Sequence, residues 1–131
     1  MKYLILLLLV MFSCNVNANN GDLIDFVNSL TSTEKQHFIK ACETDNFKTI
    51  TDIQEKALVC RVAATIKSYY SKKNRQALLD MYRYGVKSCN YYDLENQKFI
   101  CDFLYKDYKQ FCFIKRDEQI CNILKDYYKL Y

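Results

Sequence analysis

Residues 89–121 read CNYYDLENQKFICDFLYKDYKQFCFIKRDEQIC, and the four cysteines in this stretch decide the fold. Leu78, Met81, Tyr82, Gly85 and Cys89 recur at three- and four-residue intervals, the period of one helix face, so Cys89 closes a helix. A polar stretch follows, and Cys101 then lies inside the next helical run, marked by Ile100, Phe103, Leu104, Tyr108 and Phe111. Cys112 ends that run. Cys121 lies inside another, marked by Ile120, Ile123, Leu124, Tyr127, Tyr128 and Tyr131. The same alternation of helix end and helix body occurs upstream, at Cys42 and Cys60. An antiparallel helical hairpin brings such positions together. Of about 15 possible connectivities, the spacing predicts the sequential one: Cys42–Cys60, Cys89–Cys101 and Cys112–Cys121.

Internal similarity supports the pattern. Asp52-Ile-x-x-x-x-Leu-Val-Cys60 matches Asp93-Leu-x-x-x-x-Phe-Ile-Cys101, and the run from Ile100 matches the run from Ile120. Shared helix–bridge geometry accounts for both. Nearer the N-terminus, Leu23, Ile24, Val27 and Leu30 mark a first helix. Thr31-Ser-Thr-Glu34 has the spacing of a capping box and starts a second, ending near Cys42. Ile53, Ala57, Cys60, Ala64 and Ile66 mark a third that stops near Tyr70, before Ser71-Lys-Lys-Asn74. No segment sustains the alternation of a strand. The chain has no proline and two glycines, too few for the many turns of an all-β sandwich. At 131 residues it makes one small domain. The expected fold is all-α, with five or six short helices arranged as disulfide-stapled hairpins.

The first residues read as an export signal. Lys2 precedes an uncharged apolar run, Tyr3–Phe12, and Val16-Asn-Ala18 offers small residues for cleavage. Residues 1–18 are therefore expected to be a signal peptide, and 19–131 a secreted, extracellular domain. A lipoprotein signal on Cys14 is the lesser alternative, because Met11-Phe-Ser13 suits it poorly. Cleavage discards Cys14 and leaves six cysteines, an even number that suits three disulfides outside the cell. No later apolar run is long enough to span a membrane. No Asn-x-Ser/Thr site for glycosylation occurs after residue 18.

Catalytic chemistry finds no foothold in the residue types. His37, the single histidine, has neither a nucleophile nor an orienting group in a recognisable context, and reads as an ordinary surface or boundary histidine. Two glycines cannot make a phosphate-cradling loop. The cysteines lack the close pairs of zinc or thioredoxin-like sites. No two carboxylates are singled out as a glycosidase pair. The expectation is a protein that is not an enzyme, with no cofactor and no metal.

Charge and tyrosine point instead to binding. Residues 19–65 carry a net charge of −2, and residues 66–131 carry +5. Eleven of the 12 tyrosines lie in residues 69–131. Adjacent tyrosines on a helix point about 100° apart, so both cannot face the core. Tyr69, Tyr70, Lys72, Lys73, Arg75, Tyr91, Tyr92, Tyr127 and Tyr128 are the candidate interaction surface. A solvated interhelical loop is the plainer reading of the basic cluster, and edge-of-core packing that of the tyrosines. Lys115-Arg116 has the form of a dibasic cleavage site but falls between two bridged cysteines, so it reads as a loop. A net charge of only +3 after residue 18, outside the cell, argues against a nucleic-acid partner.

The intervals of 10 and 8 residues between Cys101, Cys112 and Cys121 are similar to the tail of the cysteine pattern in insect odorant-binding proteins. The resemblance covers only this third of the chain. The family's close pair is absent, because 28 residues separate Cys60 from Cys89. The family's interlocked disulfides and ligand cavity are not implied where that pair is missing. Insect chemosensory proteins, also Tyr- and Lys-rich helical carriers, have four cysteines at other spacings.

The leading expectation is thus a secreted, monomeric, toxin- or effector-like protein that binds an extracellular target through a Tyr/Lys surface. The alternative is an extracellular carrier of a small apolar ligand, which calls for an enclosed apolar pocket of about 300 Å³ or more. A membrane-active helical protein is a weaker third.

Overall fold

The computed structural model describes residues 20–44, 50–91 and 98–128, with side chains for 23–44, 56–89 and 101–125. The expected signal peptide and Tyr92 lie outside the described residues. Among the described residues six α-helices follow one another: α1 (Asn20–Ser29), α2 (Ser32–Glu43), α3 (Ile50–Ser68), α4 (Arg75–Tyr91), α5 (Lys98–Lys109) and α6 (Glu118–Tyr128). No strand occurs among the described residues. The fold is the expected all-α arrangement.

Local chemistry sets the helix starts. The Thr31 hydroxyl accepts from the Glu34 N–H at 3.2 Å, and the Thr31 N–H donates to Glu34 Oε1 at 3.0 Å. This is the predicted capping box, and it satisfies two backbone donors that the helix leaves free. Asn74 caps α4 by accepting from the Ala77 N–H at 3.2 Å, and Asp117 caps α6 through the Ile120 N–H at 3.3 Å.

The last turn of α5 is unusual. It widens into a π-helical turn, Gln110–Ile114, closed by a 2.8 Å bond from the Lys115 N–H to the Gln110 carbonyl. Arg116 then adopts a left-handed backbone, φ 51°, which L-residues other than glycine rarely enter. The chain reverses there and the Asp117 N–H bonds back to the Phe111 carbonyl at 2.8 Å.

Three disulfides staple the hairpins. They join Cys42 to Cys60, Cys89 to Cys101 and Cys112 to Cys121, with Cα atoms 4.8, 5.5 and 5.0 Å apart. The pairs are local, as the helix-end and helix-body alternation predicts, and none interlocks with another.

The core has two parts that meet along α4. Leu23, Val27, Phe38, Cys42, Val59, Cys60, Val62 and Ala63 from α1–α3 form one part, with Phe26 edge-on to Phe38 at 6.0 Å. Leu79, Tyr82, Val86, Cys89, Leu104, Ile120 and Leu124 from α4–α6 form the other. Met81 packs against both. The α3–α4 pairing joins them, with Ser88 Oγ donating to the Ala57 carbonyl at 2.7 Å and Lys67 pairing with Asp80 at 3.5 Å. Gly85 permits close approach of α5, since a Cβ there would sit 3.3 Å from Leu104 Cδ2.

Two lysines complete the end of α2. Lys56 of α3, itself buried, donates to the Ala41 carbonyl at 2.6 Å, and Lys87 of α4 donates to the Cys42 carbonyl at 3.3 Å. Carbonyls at a helix C-terminus lack intrahelical partners and carry partial negative charge, so a cation is favoured there. The Tyr84 hydroxyl adds a 2.6 Å bond to Glu43 Oε1.

Candidate interaction end and apolar cleft

Arg75 organises one end of the bundle. Its guanidinium bonds Asp117 Oδ1 at 2.7 Å and Gln119 Oε1 at 3.0 Å. The clamp ties the first residue of α4 to the cap of α6. It lowers the Asp117 carboxyl below the ordinary carboxylate range, chiefly through the Arg75 hydrogen bond. Arg75 is a candidate interaction residue from sequence, and the structure places it in this internal clamp while leaving it exposed.

The clamp brings two turns to the same end of the molecule. The α3–α4 turn presents Tyr69 and Tyr70, 47% and 56% exposed, with Lys72 and Lys73 also exposed. The α5–α6 turn presents Phe113 and Ile114, 66% and 71% exposed, followed by exposed Lys115 and Arg116. Phe113 packs edge-on to Tyr108 at 5.7 Å, and the Lys115 ammonium sits 5.0 Å from the Phe111 ring centre. Tyr69, Tyr70, Lys73 and Asp80 also line a groove of about 410 Å³. Asp80, the acid of that groove, is occupied by Lys67, by Arg83 at 3.3 Å and by Gln76 at 2.9 Å. Lys72 and Lys73 make no ion pair among the described residues. The groove therefore offers aromatic surface and uncompensated positive charge.

The other candidate residues divide. Tyr91 ends α4 and Tyr127 and Tyr128 end α6, but their side chains lie outside the described ones. Tyr82 and Tyr84 are buried, and their hydroxyls bond Asp107 and Glu43 at 2.6 Å. Burial above all, then the adjoining carboxylates, push both phenols well above their ordinary pKa. His37 is exposed. No three His, Cys, Asp or Glu side chains gather as a metal site among the described residues, and no described helix is long and apolar enough to cross a membrane.

Sequence reasoning passed over Phe113 and Ile114, reading Lys115-Arg116 as a plain loop. The signal lay in the two large apolar residues between Cys112 and that basic pair.

A second feature lies on the side of the bundle. An open cleft of about 250 Å³ runs between α1, α3, α4 and α5, walled by Leu23, Ile24, Ala64, Met81, Phe103 and Leu104. Arg61, Thr65, Ser68, Tyr82 and Gly85 complete it. It is smaller and more open than the enclosed pocket of about 300 Å³ that the carrier reading calls for. Burial lowers the pKa of the Arg61 guanidinium, which makes no ion pair or side-chain hydrogen bond among the described residues.

No protein-family model matches the chain, and no curated protein or solved structure matches it.

Proposed function

We propose that this is a secreted, non-enzymatic binding protein of the toxin or effector type. It engages an acidic extracellular protein through the end of the bundle where the α3–α4 and α5–α6 turns lie. The Arg75–Asp117–Gln119 clamp carries this reading, because it fixes two apolar–basic turns at one end. Scattered exposed hydrophobes are ordinary on a surface, whereas grouped ones rimmed by charge suit an interface. Tyrosine and phenylalanine supply contact area, and the lysines and Arg116 supply attraction to acidic partners. Three disulfides in a small domain are compatible with an extracellular setting.

The test uses protein exported from an oxidising host and immobilised, with capture from extracellular fluids of the source organism. The Y69S/Y70S/K72E/K73E and F113S/I114S variants should each lose a partner that the parent retains. A K40E variant, exposed in the last turn of α2, where Ala41 meets Lys56 near the start of α3 and not its end, should keep it. Capture that is equal across all four proteins would refute the proposal. A second reading, transport of a small apolar ligand, is favoured by one observation, the apolar cleft between α1 and α5.

A further inference from the structure

The polar groups around the cleft are already engaged, with one exception. The Thr65 hydroxyl donates to the Arg61 carbonyl at 2.9 Å and the Ser68 hydroxyl to the Thr65 carbonyl at 2.6 Å. The Tyr82 hydroxyl is held by Asp107, and nearby Asp80 is held by three other side chains. Arg61 alone has no acceptor among the described residues, although it lines the apolar cleft and is partly buried there, which desolvates its guanidinium in part. A desolvated cation calls for a charge-assisted hydrogen bond, and a planar guanidinium fits a carboxylate in bidentate fashion.

We infer that the cleft binds a free medium-chain alkyl carboxylate, with the carboxylate on Arg61 and the chain against Leu23, Ala64, Met81, Phe103 and Leu104. This rests on the carrier reading and specifies its ligand. The volume of about 250 Å³ lies below the range of drug-sized sites and suits one chain of about ten carbons. The apolar N-terminal stretch is a poorer occupant. Residues 1–19 contain no Asp or Glu and carry Lys2, so they bring no counter-charge to Arg61.

Calorimetry of the exported protein with decanoate, decanol and octanoate tests this. Decanoate should bind at least about ten-fold tighter than decanol, the usual weight of a hydrogen bond to a charged group. It should bind about fifteen-fold tighter than octanoate, from two more buried methylenes. Arg61→Gln should abolish the preference over decanol, and Arg61→Lys should keep part of it. Should Arg61→Gln fail to fold, Ser68→Glu answers the same question from an exposed position. Ser68 lines the cleft, so both ligands should weaken, but decanoate should weaken several-fold more than decanol. The Arg61 Nε–Hε resonance should move with decanoate and not with decanol. Equal affinity for decanoate and decanol overturns the inference while leaving the carrier reading standing. Binding of neither overturns both.

Discussion

Removing the disulfides one at a time should rank them, and the structure sets the order. The bridges close loops of 18, 12 and 9 residues. Restricting the unfolded chain to such loops is worth about 3.2, 2.8 and 2.6 kcal/mol by chain entropy. Loop length alone separates them little. Burial separates them more, because Cys42 and Cys60 are wholly buried at the centre of the α1–α3 core, whereas Cys112 is only partly buried. Cutting two fully buried sulfurs back to alanine adds a transfer and cavity loss of about 1–2 kcal/mol. C42A/C60A should therefore cost about 4–5 kcal/mol, and C112A/C121A about 3, against a typical margin of about 5–15. Urea unfolding of each double variant measures this. The midpoints should fall in the order C112A/C121A, C89A/C101A, C42A/C60A, from smallest loss to greatest. The slopes should rise as the released chain exposes more surface. If C112A/C121A proves as damaging as C42A/C60A, burial is not what distinguishes the bridges and the reasoning fails.

Other expectations follow from single contacts. Thr31→Ala should cost about 1 kcal/mol in denaturant unfolding, the usual weight of an N-cap. Hydrogen bonds from Thr31, backbone first, hold the Glu34 carboxyl below its ordinary range, as Arg75 chiefly does for Asp117. Their folded-state pKa values are depressed, so their stabilisation is present above the unfolded value of about 4 and lost as pH falls through the folded values. Melting temperature should drop on acidification below about pH 4, and less steeply in E34Q/D117N. Tyr82→Phe removes a half-covered bond to Asp107 and should cost about 1–2 kcal/mol, read by the same urea assay. Leu124→Ala, which empties a fully buried site, should cost about 2–5 kcal/mol, with a proportionate loss of melting temperature.

The fold was legible because each local sign agreed with the others. The capping box at Thr31, the helical spacing of Leu23, Val27 and Leu30, and the Val59 and Ile120 that precede Cys60 and Cys121 all reappear as contacts. What could not be read was how helices far apart in sequence face one another. Lys56 and Lys87 look like ordinary surface charges, yet both are drawn to the carbonyls that end α2. Helical spacing marks Tyr82, but Tyr84 is indistinguishable from Tyr69 and Tyr70 by composition. Helical phase puts Tyr82 and Tyr84 in the core, and chain reversal leaves Tyr69 and Tyr70 outside. The π-turn was also hidden, since periodicity at 3.6 residues gives no warning of one residue more per turn.

The same limit explains the candidate site. Arg75 entered as one basic residue in a cluster, but its partners lie 42 and 44 residues away. That distance gives it a structural role that composition could not assign. With hairpins held covalently, the turns between helices need contribute little to the core, so Tyr69, Tyr70, Phe113 and Ile114 can stay exposed. Arg75→Ala should then leave the fold intact and loosen the relation between the two turns. If binding at this end needs both turns, R75A should weaken it as much as F113S/I114S does, with a melting temperature close to that of the parent. Binding unchanged in R75A would mean that one turn suffices and that the clamp merely caps α6.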